Sequence, residues 1–135
     1  MLEIKRGEIF YADLDPVIGH EQGGKRPVVI LQDNPNLETC PTILVAPITK
    51  SCNKKYDLPT HVYIKSSKYL KHRSVILIEH IREIDKSRIK QYLTTITKKE
   101  QKEVDEAIKI AFGINVKGQL WEIRSEEHTS ELQSR

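Results

Sequence analysis

Short apolar segments separated by polar and turn-forming residues fill most of the chain, a pattern that is typical of β-strands. Six segments are predicted to be strands: Gly7–Asp13, Pro27–Gln32, Thr42–Ile48, His61–Ile64, Ser74–Arg82 and Gln91–Ile96. Because few residues separate most of these segments, antiparallel pairing through short connections is favoured over parallel crossovers. We therefore expect a small, strongly bent antiparallel sheet or half-open barrel.

The spacing of the apolar positions changes after residue 96, where the sequence predicts a helix. Thr97 and Glu100 form a T-x-x-E capping box, which is typical of a helix start. Apolar residues then recur at three- and four-residue spacing at Val104, Ala107, Ile108 and Ala111. Gly113 is a typical helix end, and we expect the apolar face to close the sheet. A shorter helical turn is expected at Lys86–Arg88, after Asp85.

The periodic pattern ends after Gly113, so we expect one domain that spans residues 1–114. Within the remaining segment, the stretch RSEEHTSELQS at Arg124–Ser134 resembles the translation of a common sequencing-library adapter. We therefore expect residues 115–135 to be a non-native extension, of which the adapter-like tail from Arg124 takes no part in the fold or the function.

The composition fits a single globular domain, with 38% hydrophobic and 30% charged residues in a chain of 135. The apolar segments are too short to span a bilayer, and the first residues contain no apolar signal-peptide core. We therefore expect a cytoplasmic protein without a membrane partner. Cys40 and Cys52 form no C-x-x-C unit, and we expect neither a disulfide, a metal ion nor a cofactor.

The net charge of +3 is unevenly distributed along the chain. The stretch from residue 50 to residue 73 holds one acidic residue, Asp57, against seven basic ones: Lys50, Lys54, Lys55, Lys65, Lys68, Lys71 and Arg73. Such a cluster is typical either of a solvated loop or of a surface that attracts phosphate groups, as in nucleic-acid binding.

Arg26 is the strongest candidate for a functional side chain. Gly23 and Gly24 allow a turn that leaves backbone amides open to a ligand, and Pro27 restricts Arg26 to extended geometry. A guanidinium held in this way suits a phosphate group. A structural ion pair between Arg26 and Glu21 is the alternative interpretation.

Three further side chains allow both a structural and a chemical interpretation. Thr49 follows the predicted strand Thr42–Ile48, and its hydroxyl becomes relevant if the strand of Arg26 lies beside it. His61 and His80 could be hydrogen-bonded members of the fold or could take part in catalysis.

Four segments resemble, in order and spacing, the MazF/PemK family of bacterial toxin endoribonucleases: RGEIFYADLDPVIGHEQGGKRPVVILQ, PTILVAPIT, LPTHVYI and SVILIEHIREIDKSR. The resemblance runs from about residue 5 to residue 113. It implies a mostly β fold with a C-terminal helix, of the CcdB/MazF-like type, which is related to small SH3-like antiparallel barrels.

The resemblance also implies an activity and partners. Family members act as homodimers and cleave single-stranded RNA at short sequence motifs without a metal, leaving 2′,3′-cyclic phosphate and 5′-hydroxyl ends. A MazE-like antitoxin with a flexible acidic tail neutralises them, and we expect DNA binding through the antitoxin complex.

By this resemblance Arg26 and Thr49 fall on catalytic positions and Glu21 on a position implicated in activity. Arginine is a poor proton acceptor, so the activating base is left open between Glu21 and His61. The predicted RNA-binding residues are Gly23, Gly24, Lys25, Lys50, Lys54, Lys55, Tyr56, His61, His80 and Arg82. Tyr56 could stack on a base or pack on the barrel. His80 stands where many relatives carry glutamine.

Three alternatives to an active ribonuclease remain at this point. The chain could be a non-catalytic nucleic-acid or peptide-binding module on an SH3-like barrel, because one fold serves many functions. It could be a CcdB-like toxin that targets gyrase, or an inactive copy.

Overall fold

The computed structural model describes residues 4–16, 18–19, 23–33, 39–50, 58–65 and 73–114. Within these residues, seven strands and one helix follow one another: β1 (Glu8–Asp13), β2 (Lys25–Ile30), β3 (Thr42–Lys50), β4 (His61–Ile64), β5 (Ser74–Leu77), β6 (Arg82–Asp85), β7 (Ile89–Thr95) and α1 (Lys98–Ala111). Two 3₁₀ turns, Ile78–His80 and Lys86–Arg88, lie on either side of β6. The second of these confirms the short helical turn that the sequence predicts.

The strands form one antiparallel sheet in the order β4-β5-β3-β2-β1-β7, with β6 also paired to β3. Strand β3 changes partners along its length, because Thr42–Val45 pair with β6 and Ile48–Lys50 pair with β5. The antiparallel pairing of the strands is thereby confirmed. Strand β3 thus lies between β2 and β5, and its last three residues pair with β5.

One predicted strand is wrong in extent. The segment Ser74–Arg82 is not continuous, because the 3₁₀ turn Ile78–His80 separates β5 from β6. The register explains the break: Ile76 pairs with Ile48 and Arg82 with Val45, so the five residues between Ile76 and Arg82 are matched to only two residues of β3. The turn accommodates the surplus residues and brings Glu79 and His80 out of the ladder.

Alternating side chains of the sheet pack into two cores, one on each face. The core beneath the helix contains Ile9, Val29, Ala46, Ile48, Ile76, Val104 and Ala107, among others. The core on the opposite face contains Phe10, Ala12, Leu14, Val28, Ile30, Ile43, Val45, Ile84 and Ile89. Because both faces are covered, the central strands β2 and β3 are held rigidly, which suits a site at their ends.

Helix α1 begins at the predicted capping box. The Thr97 hydroxyl accepts from the Glu100 amide at 3.1 Å, and the Glu100 carboxylate accepts from the Thr97 amide at 2.9 Å. Val104 and Ala107 are buried against the sheet, as the apolar spacing predicts. Ala111, the last residue of α1, is instead exposed.

Helix α1 ends at Ala111, with Phe112 as its C-cap, directly before the predicted end at Gly113. The Gly113 amide donates to the Ile110 carbonyl at 3.1 Å, and the Ile114 amide donates to the Lys109 carbonyl at 2.8 Å. These are the two bonds of a Schellman motif, for which the positive φ of Gly113, 73°, is required. Within the described part of the chain, no helix has the length and apolarity needed to cross a membrane.

Candidate active site

Arg26 lies at the start of β2, where the strand leaves the turn after β1. It pairs with Ala12 of β1, so it is extended, in agreement with the restriction that Pro27 imposes. Its Nε donates to the Gly23 carbonyl at 2.8 Å, and the side chain is half-buried. Because Nε is bonded to the turn, the turn sets the orientation of the planar guanidinium. Nη1 and Nη2 are the two nitrogens that we assign to binding a ligand.

Thr49 lies near the end of β3, on the strand next to β2. The ladder between β2 and β3 runs from Ile30 opposite Val45 to Val28 opposite Pro47. Arg26 lies two residues before Val28 and Thr49 two residues after Pro47, and residues two apart on a strand point to the same face as each other and as the opposed Val28–Pro47 pair. The two side chains therefore belong to the same end and the same face of the sheet.

The turn that precedes Arg26 is built differently from the sequence interpretation. Gly24 has a φ of 79°, a conformation that glycine adopts without strain. Its amide donates to Oδ1 of Asp15 at 2.8 Å, and its carbonyl accepts from the Leu14 amide at 3.0 Å. The Gly24 amide is thus engaged by the acidic side chain after β1, which corrects the expectation that it is open to a ligand.

Arg82 and Arg88 both donate to backbone carbonyls at the end of β1. Nη1 of Arg82 lies 3.2 Å from the Leu14 carbonyl oxygen, and Nη1 of Arg88 lies 3.0 Å from that of Asp13. Arg88 also donates to the carbonyl of Asp15. The sequence predicts Arg82 as an RNA ligand, whereas the structure shows one of its nitrogens bonded to the fold.

His61 is held by the 3₁₀ turn that follows β5. Its Nε2 lies 2.9 Å from Oε2 of Glu79, and its Nδ1 lies 3.5 Å from the Leu58 amide. The Thr60 hydroxyl donates to Oε1 of Glu79 at 2.7 Å. The His80 ring is farther away, with Nε2 4.0 Å from the Glu79 carboxylate. This arrangement gives His61 a structural partner on each ring nitrogen.

The environment of Glu79 favours the ionised carboxylate. Partial burial acts to raise the pKa of Glu79, but it is outweighed by hydrogen bonds from Thr60, from its own backbone and from His61. The net result is a pKa below its usual range. A negative charge is therefore fixed beside His61.

The two predicted RNA-binding lysines in the described residues, Lys25 and Lys50, are both exposed. Lys25 is the first residue of β2 and Lys50 the last of β3, so each adjoins a candidate catalytic residue. Glu21, Lys54, Lys55 and Tyr56 lie outside the described residues. No group of three or more His, Cys, Asp or Glu side chains converges as a metal site among the residues that the structure describes.

Sequence reasoning missed Asp15, Glu79 and Arg88. The dipeptide Asp15-Pro16 is typical of a turn, but nothing in it predicts the contact with Gly24. Glu79 and Arg88 each lie in a 3₁₀ turn and carry no motif of their own.

The profile of the PemK-like, MazF-like toxin family of type II toxin-antitoxin systems matches residues 5–112. Endoribonuclease MazF of Staphylococcus saprophyticus is 50% identical over 113 residues, covering 83% of this chain and 93% of the relative. Two solved structures from Deinococcus radiodurans are similar. MazF alone has a TM-score of 0.68 at 27% identity, covering 82% of this chain and 96% of that one. A MazE–MazF structure has a TM-score of 0.63 at 26% identity, covering 83% and 97%.

These similarities confirm the family and the fold that the sequence motifs imply. The family profile spans the segment that contains all seven strands and the helix. The chain therefore belongs, as an endoribonuclease, to the PemK-like, MazF-like toxins of type II toxin-antitoxin systems.

Proposed function

We propose that this chain cleaves single-stranded RNA at a short sequence motif, without a metal ion, by attack of a ribose 2′-hydroxyl on the adjacent phosphorus. A bond forms between the 2′-oxygen and phosphorus, and the bond from phosphorus to the 5′-oxygen breaks. The 2′-hydroxyl proton passes to a base, the 5′-oxygen takes up a proton, and the products carry 2′,3′-cyclic phosphate and 5′-hydroxyl ends. The placement of Arg26 beside the end of β3, where Thr49 lies, carries this proposal.

Arg26 is assigned to the negative charge that develops on the non-bridging oxygens in the transition state. A guanidinium stays protonated at any working pH, so it supplies positive charge in a role that a metal ion fills in other phosphoryl-transfer enzymes. The bond from Nε to the Gly23 carbonyl supports this role, because a preorganised donor needs no reorientation during the reaction. Removing one such donor costs about 10²–10³ in rate, roughly 3–4 kcal/mol.

Thr49 is assigned to hold the same phosphate through its hydroxyl. It lies on the strand next to Arg26 and is half-buried, so its side chain is partly shielded from water. A donor and a cation on neighbouring strands can bind two oxygens of one phosphate and align the attacking oxygen with the leaving oxygen.

Of the two candidate bases, His61 is engaged within the fold, and we therefore assign the role to Glu21. Both ring nitrogens of His61 have partners in the fold, Glu79 on one side and the Leu58 amide on the other. A general base needs a nitrogen or oxygen within hydrogen-bond reach of the proton that it removes. Glu21 lies between Asp15 and Arg26 in the chain, and its assignment rests on the family resemblance.

The exposed lysines Lys25 and Lys50 are assigned to the RNA backbone on both sides of the site, and Lys54 and Lys55 extend this surface in sequence. Tyr56 and His80 are assigned to the bases. Each phosphate neutralised on a single strand contributes about −0.7 to the slope of log affinity against log salt. The basic stretch therefore predicts binding that weakens steeply with ionic strength.

We further propose that the chain acts as a homodimer and is inhibited by a MazE-like antitoxin whose flexible acidic tail occupies the RNA groove. The similar MazE–MazF structure from Deinococcus radiodurans supports such a partner. The basic stretch after β3 is complementary in charge to an acidic peptide.

The test is incubation of the purified protein with a long RNA in EDTA, followed by sequencing of the fragment ends. Wild-type protein should produce cuts at one recurrent motif, and Arg26→Ala should cleave about 10²–10³ times more slowly. Lys102→Ala, which removes an exposed cation from α1, is the matched control and should cleave at the wild-type rate.

Three outcomes would contradict parts of the proposal. Unchanged cleavage by Arg26→Ala would remove Arg26 from the transition state. Loss of wild-type cleavage in EDTA would overturn metal independence. RNA binding without cleavage would leave a non-catalytic binding module.

A further inference from the structure

We infer that Asp15, Arg82 and Arg88 are positioning residues that fix the orientation of the Arg26 guanidinium through the base of the β1–β2 turn. The inference rests on the proposed role of Arg26 in cleavage. It assigns Arg82 to the fold of the site, where the sequence predicts an RNA ligand.

The first step is the attachment of the end of β1. Three successive carbonyls, those of Asp13, Leu14 and Asp15, accept hydrogen bonds from Arg82 and Arg88. Bonds from an ionised donor are roughly twice as strong as bonds between neutral groups. The Leu14 side chain is fully buried in the core opposite the helix, so it anchors the same segment from below.

The second step joins this segment to the other end of the turn. Oδ1 of Asp15 accepts from the Gly24 amide at 2.8 Å, and the Leu14 amide donates to the Gly24 carbonyl at 3.0 Å. The Asp15 amide donates to Oδ1 of Asp13 at 3.1 Å, which limits rotation of the segment itself. Gly24 is thereby held against a segment that two arginines have already fixed.

The third step reaches the guanidinium. The Gly23 carbonyl, adjacent to the fixed Gly24, accepts from Nε of Arg26 at 2.8 Å. A shift of the turn therefore rotates the plane of the guanidinium and with it Nη1 and Nη2. Misplacement of a reacting group by about 1 Å can cost about 10²-fold in rate, so a contact remote from the phosphate can affect turnover.

Asp15 allows a sharp test, because it is exposed and its replacement leaves both cores intact. Asp15→Ala removes the acceptor for the Gly24 amide, whereas Asp15→Asn keeps an oxygen at the same place. On a short single-stranded RNA, Asp15→Ala should lower kcat between about 10-fold and 100-fold and change KM by less than about twofold. Asp15→Asn should restore most of the lost kcat.

Arg82→Gln separates positioning from RNA binding. If Arg82 is a positioning residue, Arg82→Gln should lower kcat and leave the slope of log KM against log salt concentration unchanged. If Arg82 instead binds a phosphate, the same substitution should raise KM and reduce that slope by about 0.7. Glu83→Gln is the matched control on the same strand and should behave as wild type, since glutamine still accepts from the Thr42 hydroxyl.

A second measurement does not depend on cleavage. The Nε proton of Arg26 should exchange slowly in the NMR spectrum of the wild type and rapidly in Asp15→Ala. Two results would overturn the inference. One is a wild type that cleaves RNA together with an Asp15→Ala variant of unchanged kcat. The other is an Arg26 Nε proton that exchanges equally slowly in both proteins. A wild type that cleaves no RNA would overturn the proposed function, and the exchange measurement would still decide the positioning.

Discussion

The Glu79 carboxylate and the His61 imidazole lie side by side, with Oε2 2.9 Å from Nε2. The sequence presents His61 as a candidate base, but this contact and the nearby Leu58 amide engage the ring within the fold. His61 joins the start of β4 to the 3₁₀ turn after β5, and we interpret the pair as a structural element beside the site.

We expect His61→Gln to retain the shape of the pH profile of kcat, because Glu21 is the residue that we propose as the base. Glu21→Gln should lower kcat by about 10²–10⁴ and abolish the acidic limb of the profile. The measurement is single-turnover cleavage of a short RNA between pH 4 and pH 9. Loss of the acidic limb in His61→Gln, with the limb intact in Glu21→Gln, would assign the base to His61.

The lowered pKa of Glu79 predicts a dependence of stability on pH. Because its folded pKa lies below its unfolded value, Glu79 contributes stability above the unfolded pKa. That contribution is lost as the pH falls through the folded pKa. Glu79→Gln should therefore lose less stability than wild type between pH 7 and pH 3 in urea unfolding. Glu103→Gln, on the exposed side of α1, is the control. An equal acid loss in wild type and Glu79→Gln would contradict this prediction.

The capping box of α1 should contribute to the stability of the fold and not to kcat. Thr97→Ala removes the acceptor for the Glu100 amide and should lower the free energy of unfolding by about 1 kcal/mol. Because α1 carries none of the proposed catalytic residues, kcat should be unchanged at a temperature well below the unfolding transition. Lys98→Ala, one residue later and exposed, should change neither quantity. A fall in kcat for Thr97→Ala would show that the helix contributes to the site.

Removal of residues 115–135 should leave both the unfolding temperature and cleavage at wild-type values. The Schellman bonds of Gly113 and Ile114 already satisfy the end of α1 within residues 1–114. Thermal unfolding by circular dichroism and the RNA assay measure the two quantities. A lower unfolding temperature would show that the segment packs against the domain, and would contradict its assignment as a non-native extension.

Local sequence signals predicted most of the fold. The capping box, the terminal glycine and the apolar segments each act within a few residues, so they can be recognised without knowledge of the partners. The break between β5 and β6 could not be predicted in this way. It results from the register of two strands against β3, which the apolar run from Val75 to Ile78 does not encode.

The site shows the same division between local and distant contacts. The restriction of Arg26 by Pro27 and the turn at Gly24 are local, and both could be recognised in the sequence. The hydrogen bond from Arg82 to the Leu14 carbonyl joins residues 68 positions apart. The sequence around an arginine does not tell whether its guanidinium binds a backbone carbonyl or a phosphate. The interpretation of Arg82 therefore required the sheet topology.

Strand β3 places Ile48 and Thr49 on opposite faces at the point where the strand changes partners. Ile48 is buried under the helix, and the next residue carries the hydroxyl assigned to the phosphate. A substitution that changes the packing of the core around Ile48 can therefore displace the Thr49 hydroxyl while the unfolding temperature stays the same. In this toxin, tolerance of a core substitution should be judged by turnover as well as by stability.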